Sequence, residues 1–420
     1  MNKAKQFVIS QAIVQEAFYR VKASKGAAGV DRQSIEEFEQ ELESNLYKLW
    51  TRMSSGTYFP PAVKSVEIPK ASGGVRILGV QTVSTVQTVA DRVAQMVVKM
   101  YLEPEVEPKF HQDSYGYRPG RSALDAVAIA KKRCLDRAWV IDLDIRAFFD
   151  ELDHTLVLEK LKEHTSCPWI LLYVQRWLTA PMQKEDGTLV ARNCGSHQGS
   201  VISPLISNIV LHHVFDEWMA TTFPSVPFER YADDALVHCE TRKQADYVKD
   251  AIRRRLSAHM LRVNETKTKL VYCKDTKRTG SHEHEQFDFL GYTFRPRLVK
   301  TAGGKYLVGF TPAMSNEAGK KIREEIRGWR LNMRSDKSLE ELAREINPKV
   351  QGWINYYGRF HKSAMRPSLE QLNDHLVKWA MRKHKRFHRS PRRAKEWLAD
   401  MATTSPKLFA HWGFEVKSAG

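Results

Sequence analysis

The stretch from Phe228 to Val237 constrains the fold of this chain more than any other. Two adjacent carboxylates, Asp233 and Asp234, stand between short runs of aromatic and β-branched residues, which predicts a β-hairpin with the acids at its tip. Neighbouring aspartates repel each other unless a cation lies beside them, so the pattern indicates a pair of divalent metal ions. Ordinary turn chemistry is the alternative, because aspartate favours turns by bonding its own backbone.

A second acidic stretch, upstream at 139–145, favours the metal interpretation. Apolar and acidic residues alternate there, so Asp142 and Asp144 share one face of a predicted strand. A strand with one carboxylate beside a hairpin with two is the arrangement that two-metal nucleotidyl transfer requires, with ions about 3.5–4 Å apart. Spacing alone does not choose between Asp142 and Asp144 as the metal ligand.

The charge of the chain indicates a polyanionic partner. Its 420 residues are enough for two or more domains, and they carry a net charge of +17. Nucleic acid and an anionic membrane both fit such an excess of Lys and Arg. No apolar run reaches the roughly 18–20 residues that span a bilayer, and the amino terminus predicts an amphipathic helix, not a signal peptide. We therefore expect a cytoplasmic protein that binds nucleic acid and no membrane.

The cysteines and histidines give little sign of a zinc site. The five cysteines are scattered singly, without a Cys-x-x-Cys pair. His282-Glu283-His284 could bind a metal ion, but no further ligand follows at zinc-site spacing, and a solvated loop is the favoured interpretation.

Four motifs occur in the order found in reverse transcriptases. They are Asp144-x-x-x-Phe148-Phe149, Gln198-Gly199-Ser200 with Ser203-Pro204, the Tyr-Ala-Asp-Asp box at 231–234, and Phe289-Leu290-Gly291. The set resembles the group II intron reverse transcriptase/maturase family, and 351–357 is similar to its maturase-specific, or X, domain. The resemblance implies an α+β fold: right-hand polymerase fingers and palm with an antiparallel palm sheet, followed by an α-helical thumb/maturase domain. No endonuclease domain is expected.

The resemblance and the local patterns together predict four segments. They are an N-terminal helical extension of the fingers (1–60), the reverse transcriptase fingers and palm (61–300), the helical thumb/X domain (301–378) and a basic nucleic-acid-binding segment (379–420). In the first segment, a loop at 25–31 separates two helices, and Asp31 is placed to cap the second, which runs from Glu36 to Leu49. Phe287–Tyr292 is expected to be the primer-grip strand. A short repeat at 81–89 departs from the family pattern, and we have no functional account of it.

The resemblance also implies the catalytic residues. Asp144, Asp233 and Asp234 are expected to be catalytic and to hold two Mg²⁺ ions, with Mn²⁺ as an alternative. The primer 3′-hydroxyl would attack the α-phosphate in line, in a reaction governed by positioning and charge neutralisation.

Five residues are expected to contact the incoming nucleotide: Lys70, Arg76, Phe149, Gln198 and Lys267. Lys70 and Arg76 would hold the triphosphate, although solvated cations are the alternative. Phe149 would exclude a ribose 2′-hydroxyl, unless it and Phe148 are both core. Lys267 would protonate the leaving pyrophosphate, with a merely solvated lysine as the alternative.

Two stretches are expected to bind nucleic acid. The loop at 113–121 interleaves aromatic and basic residues, among them Arg118 and Arg121, which suits stacking on bases; a well-packed turn is the alternative. From 378 to 396, nine Lys or Arg residues stand against one Glu, with Trp379 and Phe387 interleaved. The basic residues expected to bind there are Lys378, Arg382, Lys383, Lys385, Arg386, Arg392 and Arg393; a solvated basic face is the alternative.

These observations predict an RNA-directed DNA polymerase of a group II intron that also acts as a maturase in splicing and retromobility. The expected partners are intron RNA, an RNA template, a DNA or RNA primer, dNTPs and target DNA, in a bacterial cytoplasm. One alternative is a free-standing reverse transcriptase of phage defence or of a CRISPR system. Another is a splicing-only maturase, whose active-site aspartates should be degenerate, whereas all three are present here.

Overall fold

The computed structural model describes residues 7–67, 83–300 and 303–414. Lys70, Arg76 and the first part of the 81–89 repeat lie outside the described residues. The chain divides into two compact units. The first unit is Met1–Ala126 with Ile141–Leu270, and the second is Val127–Val140 with Val271–Gly420. The four segments predicted from sequence stay predictions.

Helices make up nearly half of the described chain. In chain order they are α1 (Gln11–Ser24), α2 (Ile35–Gln40), α3 (Leu42–Ser55), α4 (Val89–Val106), α5 (Ala123–Asp136), α6 (Phe148–Glu151), α7 (His154–Lys162), α8 (Pro168–Thr179), α9 (Ser203–Leu211), α10 (Glu217–Thr222), α11 (Arg242–Ser257), α12 (Asn316–Gly328), α13 (Leu339–Tyr357), α14 (Arg366–Lys383) and α15 (Pro391–Thr404). Among the described residues, none of these helices has the length and apolar character needed to cross a membrane.

The strands form three sheets. In chain order they are β1 (Val63–Glu67), β2 (Val83–Val86), β3 (Trp139–Asp144), β4 (Met182–Gln183), β5 (Leu189–Val190), β6 (Phe228–Tyr231), β7 (Asp234–Cys239), β8 (Lys269–Tyr272), β9 (Phe287–Phe289), β10 (Tyr292–Lys300) and β11 (Tyr306–Met314). Their orders are β2-β1-β4-β5, β6-β7-β3-β8 and β11-β10-β9. With these sheets and a helical C-terminal region, the fold is the expected α+β polymerase fold.

The N-terminal helices are as predicted, apart from two details. The helix expected from 36 to 49 is broken at Glu41, whose φ of −116° and ψ of 37° leave the helical region. Ser34, not Asp31, caps the second helix. Its hydroxyl accepts a hydrogen bond from Glu37 N at 3.1 Å, and the Glu37 carboxylate accepts one from Ser34 N at 2.8 Å. This reciprocal pair satisfies two backbone donors that Asp31 is too far along the chain to reach.

The central sheet of the first unit carries the two acidic stretches. The antiparallel strands β6 and β7 are joined by Ala232 and Asp233, with Tyr231 opposite Asp234. Ala232 takes a positive φ of 58°, as a tight two-residue hairpin turn demands. The predicted hairpin with the acids at its tip is therefore confirmed.

The helix expected from 203 to 219 contains an irregularity. Between α9 and α10, residues His212–Asp216 form a π-helical turn. Such turns add a residue to the helix and rotate the side chains that follow it. The π-helical turn ends at Asp216, a buried acid that lies close to the turn between β6 and β7.

The primer-grip stretch is a hairpin, so the prediction of a single strand over 287–292 is wrong. Leu290 and Gly291 both have positive φ, 51° and 77°, and reverse the chain between β9 and β10. The strand β10 continues into a long antiparallel pair with β11, in register from Tyr292–Met314 to Lys300–Tyr306. This second hairpin was not predicted from the sequence.

The four helices α12 to α15 of the second unit pack around one apolar core. The expected stripes are part of it, and Trp329 stacks on Trp353 with ring centroids 5.5 Å apart. Trp379 and Phe387, the aromatic residues interleaved in the basic stretch, are 1% and 5% exposed. Both rings fill the core, and the basic side chains around them reach solvent.

Candidate active site

Three carboxylates carry the site in the first unit. Asp144 ends β3, and Asp233 and Asp234 belong to the β6–β7 turn. Burial, followed by the charges of Asp233 and Asp144, raises the pKa of Asp234 from 3.8 to about 6. Burial, and then Asp144, also raise the pKa of Asp233. The three acids are therefore close enough to repel one another, and a cation placed among them would relieve the repulsion.

Lys267 supplies a cation at one edge of this group. Its Nζ donates a hydrogen bond to Asp144 Oδ2 at 3.0 Å, although 59% of the lysine side chain is exposed. Backbone bonds hold the lysine segment there: Asn264 N donates to Asp144 O at 2.8 Å, and Asp144 N donates to Thr268 Oγ1 at 3.2 Å. The structure thus brings together four of the residues singled out by sequence, Lys267 and the three aspartates.

The donor set suits a hard divalent cation. Carboxylate oxygens are the ligands that Mg²⁺ prefers, and the mutual repulsion of the three acids favours its binding. In the part of the chain that the structure describes, however, no group of three His, Cys, Asp or Glu side chains is arranged to hold a metal ion. The chemistry of Asp144, Asp233 and Asp234 fits such an ion, and their side chains would have to converge on it.

The His282-Glu283-His284 stretch lies beside an aromatic cluster. The His282 ring packs against Trp139 and Tyr272, with ring centroids 4.7 and 4.3 Å away.

Arg230, two residues before Ala232, holds the β6–β7 turn from inside. Its side chain is fully buried, and all five guanidinium N–H groups find acceptors. The acceptors are Asp216 Oδ1 (2.7 Å), Asp216 Oδ2 (2.6 Å), Asn208 Oδ1 (3.0 Å), Ala232 O (2.9 Å) and Ser114 Oγ (2.8 Å). The hydrogen bond from Arg230 to the Ala232 carbonyl thus fixes the strained residue of the turn. Sequence analysis gave this arginine no role.

Gly116 is the second residue that the sequence analysis missed. A Cβ atom at this position would lie 2.4 Å from Ala232 N, so only glycine lets this loop pack directly on the turn. Asn208 Nδ2 donates to Gly116 O at 2.8 Å, and Tyr115 N donates to Arg230 O at 2.8 Å. The loop at 113–117 therefore supports the catalytic turn through backbone contacts.

The rest of this loop divides between structural and exposed residues. Arg118 is buried and donates to Glu107 Oε1 at 2.9 Å and to the carbonyls of His111 and Ser114 at 2.6 and 2.8 Å. Its donors are used internally, as the packed-turn alternative requires. Tyr117 is half exposed, and its pKa is raised by burial and then by Asp233. Arg121 is exposed, with its guanidinium 5.7 Å from the Tyr115 ring centroid.

Phe149 and Gln198 lie on adjoining segments. Phe148 is buried in the core, whereas Phe149 keeps part of its surface exposed, so the alternative that both are core does not hold. Ser196 N donates to Phe149 O at 2.6 Å, which ties the loop before Gln198 to the short helix α6. Gln198 is half-buried, and Gly199 beside it has a φ of +86°.

A buried network supports the Gln198 loop from the side of α4. Ser200 Oγ and Ile202 N donate to Gln95 Oε1 at 2.6 and 3.3 Å, and Gln95 Nε2 donates to Asp91 Oδ2 at 3.0 Å. Asp91 also accepts hydrogen bonds from Tyr58 and Trp177, both at 2.7 Å. Burial raises the pKa of Asp91 from 3.8 to about 6.

The basic residues predicted near the C-terminus lie on the surface of the second unit. Lys378, Arg382, Lys385, Arg386, Arg392 and Arg393 are exposed and Lys383 is half-buried. Arg392 pairs with Glu396 at 2.9 Å, and Arg386 lies 4.6 Å from the Phe387 ring centroid. These side chains form a cationic surface with few internal partners.

Comparison with known proteins gives the family. The model for reverse transcriptase (RNA-dependent DNA polymerase) matches residues 68–294, and that for the group II intron, maturase-specific domain matches 319–397. Protein YkfC of Escherichia coli is 30% identical over 294 residues, which cover 60% of this chain and 75% of YkfC. The group II intron-encoded protein LtrA of Lactococcus lactis subsp. cremoris is 27% identical over 212 residues, 50% of this chain and 34% of LtrA.

A solved telomerase from Candida albicans matches with a TM-score of 0.45 and 14% identity, over 89% of this chain and 69% of the telomerase, which is too weak to add to the assignment. The reverse transcriptase match spans more than half of the chain and includes the β3 strand and the catalytic turn. The chain therefore belongs to the reverse transcriptase family, as an RNA-directed DNA polymerase with a group II intron maturase-specific domain.

Proposed function

We propose that Asp144, Asp233 and Asp234 hold two Mg²⁺ ions and that this site extends a primer with dNTPs along an RNA template. The observation that carries the proposal is the electrostatic coupling of three carboxylates on two neighbouring strands, with Lys267 bonded to one of them. Bound divalent ions would activate the primer 3′-hydroxyl and neutralise the charge on the leaving pyrophosphate. Mn²⁺ would be an alternative ion.

The chain's own residues position the reactants. Arg230 and Gly116 keep the Ala232–Asp233 turn rigid, so that the two turn carboxylates are presented at a fixed place. Once Asp144 binds a metal ion, Lys267 is free to turn to the leaving pyrophosphate and donate a proton there. In this role the Lys267 side chain would act as the general acid of the reaction.

Four further residues complete the proposed nucleotide site. Phe149 would pack against the sugar of the nucleotide and leave no room for a 2′-hydroxyl, which agrees with its exposed surface. Gln198 would bond the incoming nucleotide from a loop that Gln95 anchors. Lys70 and Arg76 would orient the β- and γ-phosphates.

The maturase-specific domain suggests a second role, in binding intron RNA to assist splicing and mobility. The cationic surface at 378–393 supports it, because Lys and Arg side chains in that surface can neutralise backbone phosphates. The chain spans only a third of LtrA, so the activities of that longer protein come to this chain as proposals. We propose intron RNA and target DNA as partners, in a bacterial cytoplasm.

Primer extension on an RNA template in Mg²⁺ tests the polymerase site. The native chain should make full-length cDNA, and Asp233→Ala should lose several orders of magnitude in rate. Asp246→Ala is a matched control, because Asp246 is a half-exposed aspartate on α11 that pairs with Arg242, and its replacement should leave the rate unchanged.

The outcomes separate the alternatives. Extension that survives Asp233→Ala would show that the site assignment is wrong. If the native chain binds structured RNA tightly but extends no primer, the splicing-only maturase becomes the better description. The maturase role is tested separately, as splicing of the intron RNA at low Mg²⁺ with and without the protein.

A further inference from the structure

A polar cavity of about 400 Å³ lies within the second unit, away from the residues discussed so far. One face of the β10–β11 hairpin forms one wall, and the first turns of α12 form another. Three arginines, Arg295, Arg297 and Arg323, line it together with His361. No role in polymerisation was assigned to any of these four residues above.

The alternation of β10 places two of the arginines in the cavity. Tyr292 and Phe294 are fully buried on one face of the strand, so Thr293, Arg295 and Arg297 share the other face. Thr311 stands opposite Arg295 in the register and therefore lies on the same face. Its buried hydroxyl has no hydrogen-bond partner within the described part of the chain.

The arginines are poorly neutralised by the protein. Arg297 donates to the Thr311 carbonyl and Arg323 to Ser368 Oγ at 3.3 Å, both neutral acceptors. Among the described residues, no hydrogen bond or ion pair engages Arg295, which is exposed at the mouth of the hairpin face. The one carboxylate in the lining is Asp288, which accepts from Thr293. Three guanidinium groups thus face a single carboxylate.

The electrostatics of this cavity reflect repulsion between like charges. Burial, and then Arg295, lower the pKa of Arg297 to about 10. Burial, followed by Arg297 and Arg295, lowers the pKa of His361. An anion in the cavity would remove the repulsion between the arginines and gain charge-assisted hydrogen bonds.

The α12 wall is also suited to an anion. Ser315 and Asn316, at the N-terminus of this 13-residue helix, line the cavity, so the positive end of the helix dipole faces it. Gly319, one turn further along α12, leaves space for the Arg323 side chain. A Cβ there would lie 3.0 Å from Arg323 Nη1 and 3.2 Å from Met314 Cε.

We propose that this cavity binds the terminal phosphate of a nucleic-acid strand. A phosphomonoester carries about 1.5 to 2 negative charges at pH 7, which three arginines against one aspartate can balance, whereas an internal phosphodiester carries one. The volume is that of a site for one small ligand, not of a groove that follows a duplex. The inference rests on the proposed function only in taking nucleic acid as the ligand.

The test compares one RNA sequence with a 5′-phosphate, a 3′-phosphate or hydroxyls at both ends, by fluorescence anisotropy with the full chain. The native chain should bind one phosphorylated form about tenfold tighter than the hydroxyl form, as charge-assisted hydrogen bonds predict. The form preferred identifies the strand end. Arg295→Ala and Arg323→Ala should abolish this preference, and Arg392→Ala should lower the affinity for all three RNAs by the same factor.

Equal affinity of the native chain for all three RNAs would overturn the inference. The inference would also be overturned if Arg295→Ala lowered the affinity for all three RNAs equally. That result would assign the arginine to an internal phosphate. Primer extension on the hydroxyl template separates this test from that of the polymerase. A chain that extends primers without an end preference refutes the cavity alone, while a chain that neither extends primers nor binds RNA refutes the proposed function.

Discussion

Arg230 and Asp216 form a fully buried two-pronged ion pair, with Nε–Oδ1 and Nη2–Oδ2 distances of 2.7 and 2.6 Å. Asp216 ends the π-helical turn, and Arg230 precedes the catalytic turn by two residues. Because both charges lie away from solvent, each depends on the other for its stability. The pair therefore couples the π-helical turn to the position of Asp233.

Breaking this pair should destabilise the protein. Asp216→Asn leaves the Arg230 guanidinium buried beside a neutral partner, which should lower the free energy of unfolding by about 3–5 kcal/mol in urea denaturation. Primer extension should fall with it. The double variant Asp216→Leu/Arg230→Met should recover most of the stability, because no buried charge remains.

Activity should not return in that double variant, since the Ala232 carbonyl has lost its donor. If the double variant polymerises as fast as the native chain, the pair serves stability only, and the clamp on the turn has no catalytic value.

Gly116→Ala should impair polymerisation with little effect on the rest of the fold. The added Cβ would lie 2.4 Å from Ala232 N and must push the loop or the catalytic turn aside. Because a shift of about 1 Å at reacting groups can reduce rates about a hundredfold, we expect a loss of that size in kcat for primer extension. Gly352→Ala is the control, because its Cβ would meet no atom within 4 Å. Equal activity of the two variants would contradict the close approach.

Asp91 should make stability depend on pH. Its pKa is raised from 3.8 to about 6, so the folded state holds the proton more tightly than the unfolded state. The contribution is most favourable below pH 4 and is lost as the pH rises through 6, by about 3 kcal/mol in total. Asp91→Asn does not titrate. The free energy of unfolding of this variant, minus that of the native chain, should therefore increase by about 3 kcal/mol between pH 4 and pH 7. A difference that stays constant would contradict the raised pKa.

Local sequence was enough to predict the catalytic hairpin, because its alternation and its turn lie within ten residues. Local sequence was not enough to predict the contacts by which Arg230 holds this turn. Arg230 meets Asp216 across 14 positions and Ser114 across 116, and nothing in the intervening pattern pairs them. The one available sign in the sequence was that Arg230 is a charged residue within a strand that faces the core.

The aromatic residues near the C-terminus occur among basic residues but belong to the core. Trp379 lies seven positions after Leu372 and three after Leu376, a helical stripe that indicates core. Likewise, the alternation of Tyr292, Phe294 and their basic neighbours indicated a strand with one charged face, but the long β10–β11 hairpin was visible only in the structure.

The cationic surface near the C-terminus should set the salt dependence of RNA binding. Lys385 and Arg393 are exposed and have no ion pair among the described residues. If each neutralises one phosphate of single-stranded RNA, Lys385→Gln/Arg393→Gln should reduce the slope of log affinity against log salt by about 1.4. Arg20→Gln, which removes an exposed arginine on α1 paired with Glu16, should leave the slope unchanged. An unchanged slope in the double variant would indicate a merely solvated surface.

Lys267 offers the sharpest test of the chemistry, because its bond to Asp144 has two interpretations. The 3.0 Å contact with an exposed lysine contributes about 1 kcal/mol or less to stability, so replacing Lys267 should barely change the unfolding free energy. If the lysine protonates the pyrophosphate, Lys267→Gln and Lys267→Arg should both lower kcat about a hundredfold, because arginine does not release a proton at neutral pH. If the lysine acts only as a positive charge near Asp144, Lys267→Arg should keep most of the native kcat and Lys267→Gln should lose it. Single-turnover extension with these two variants, beside equal unfolding free energies, therefore distinguishes proton donation from charge neutralisation.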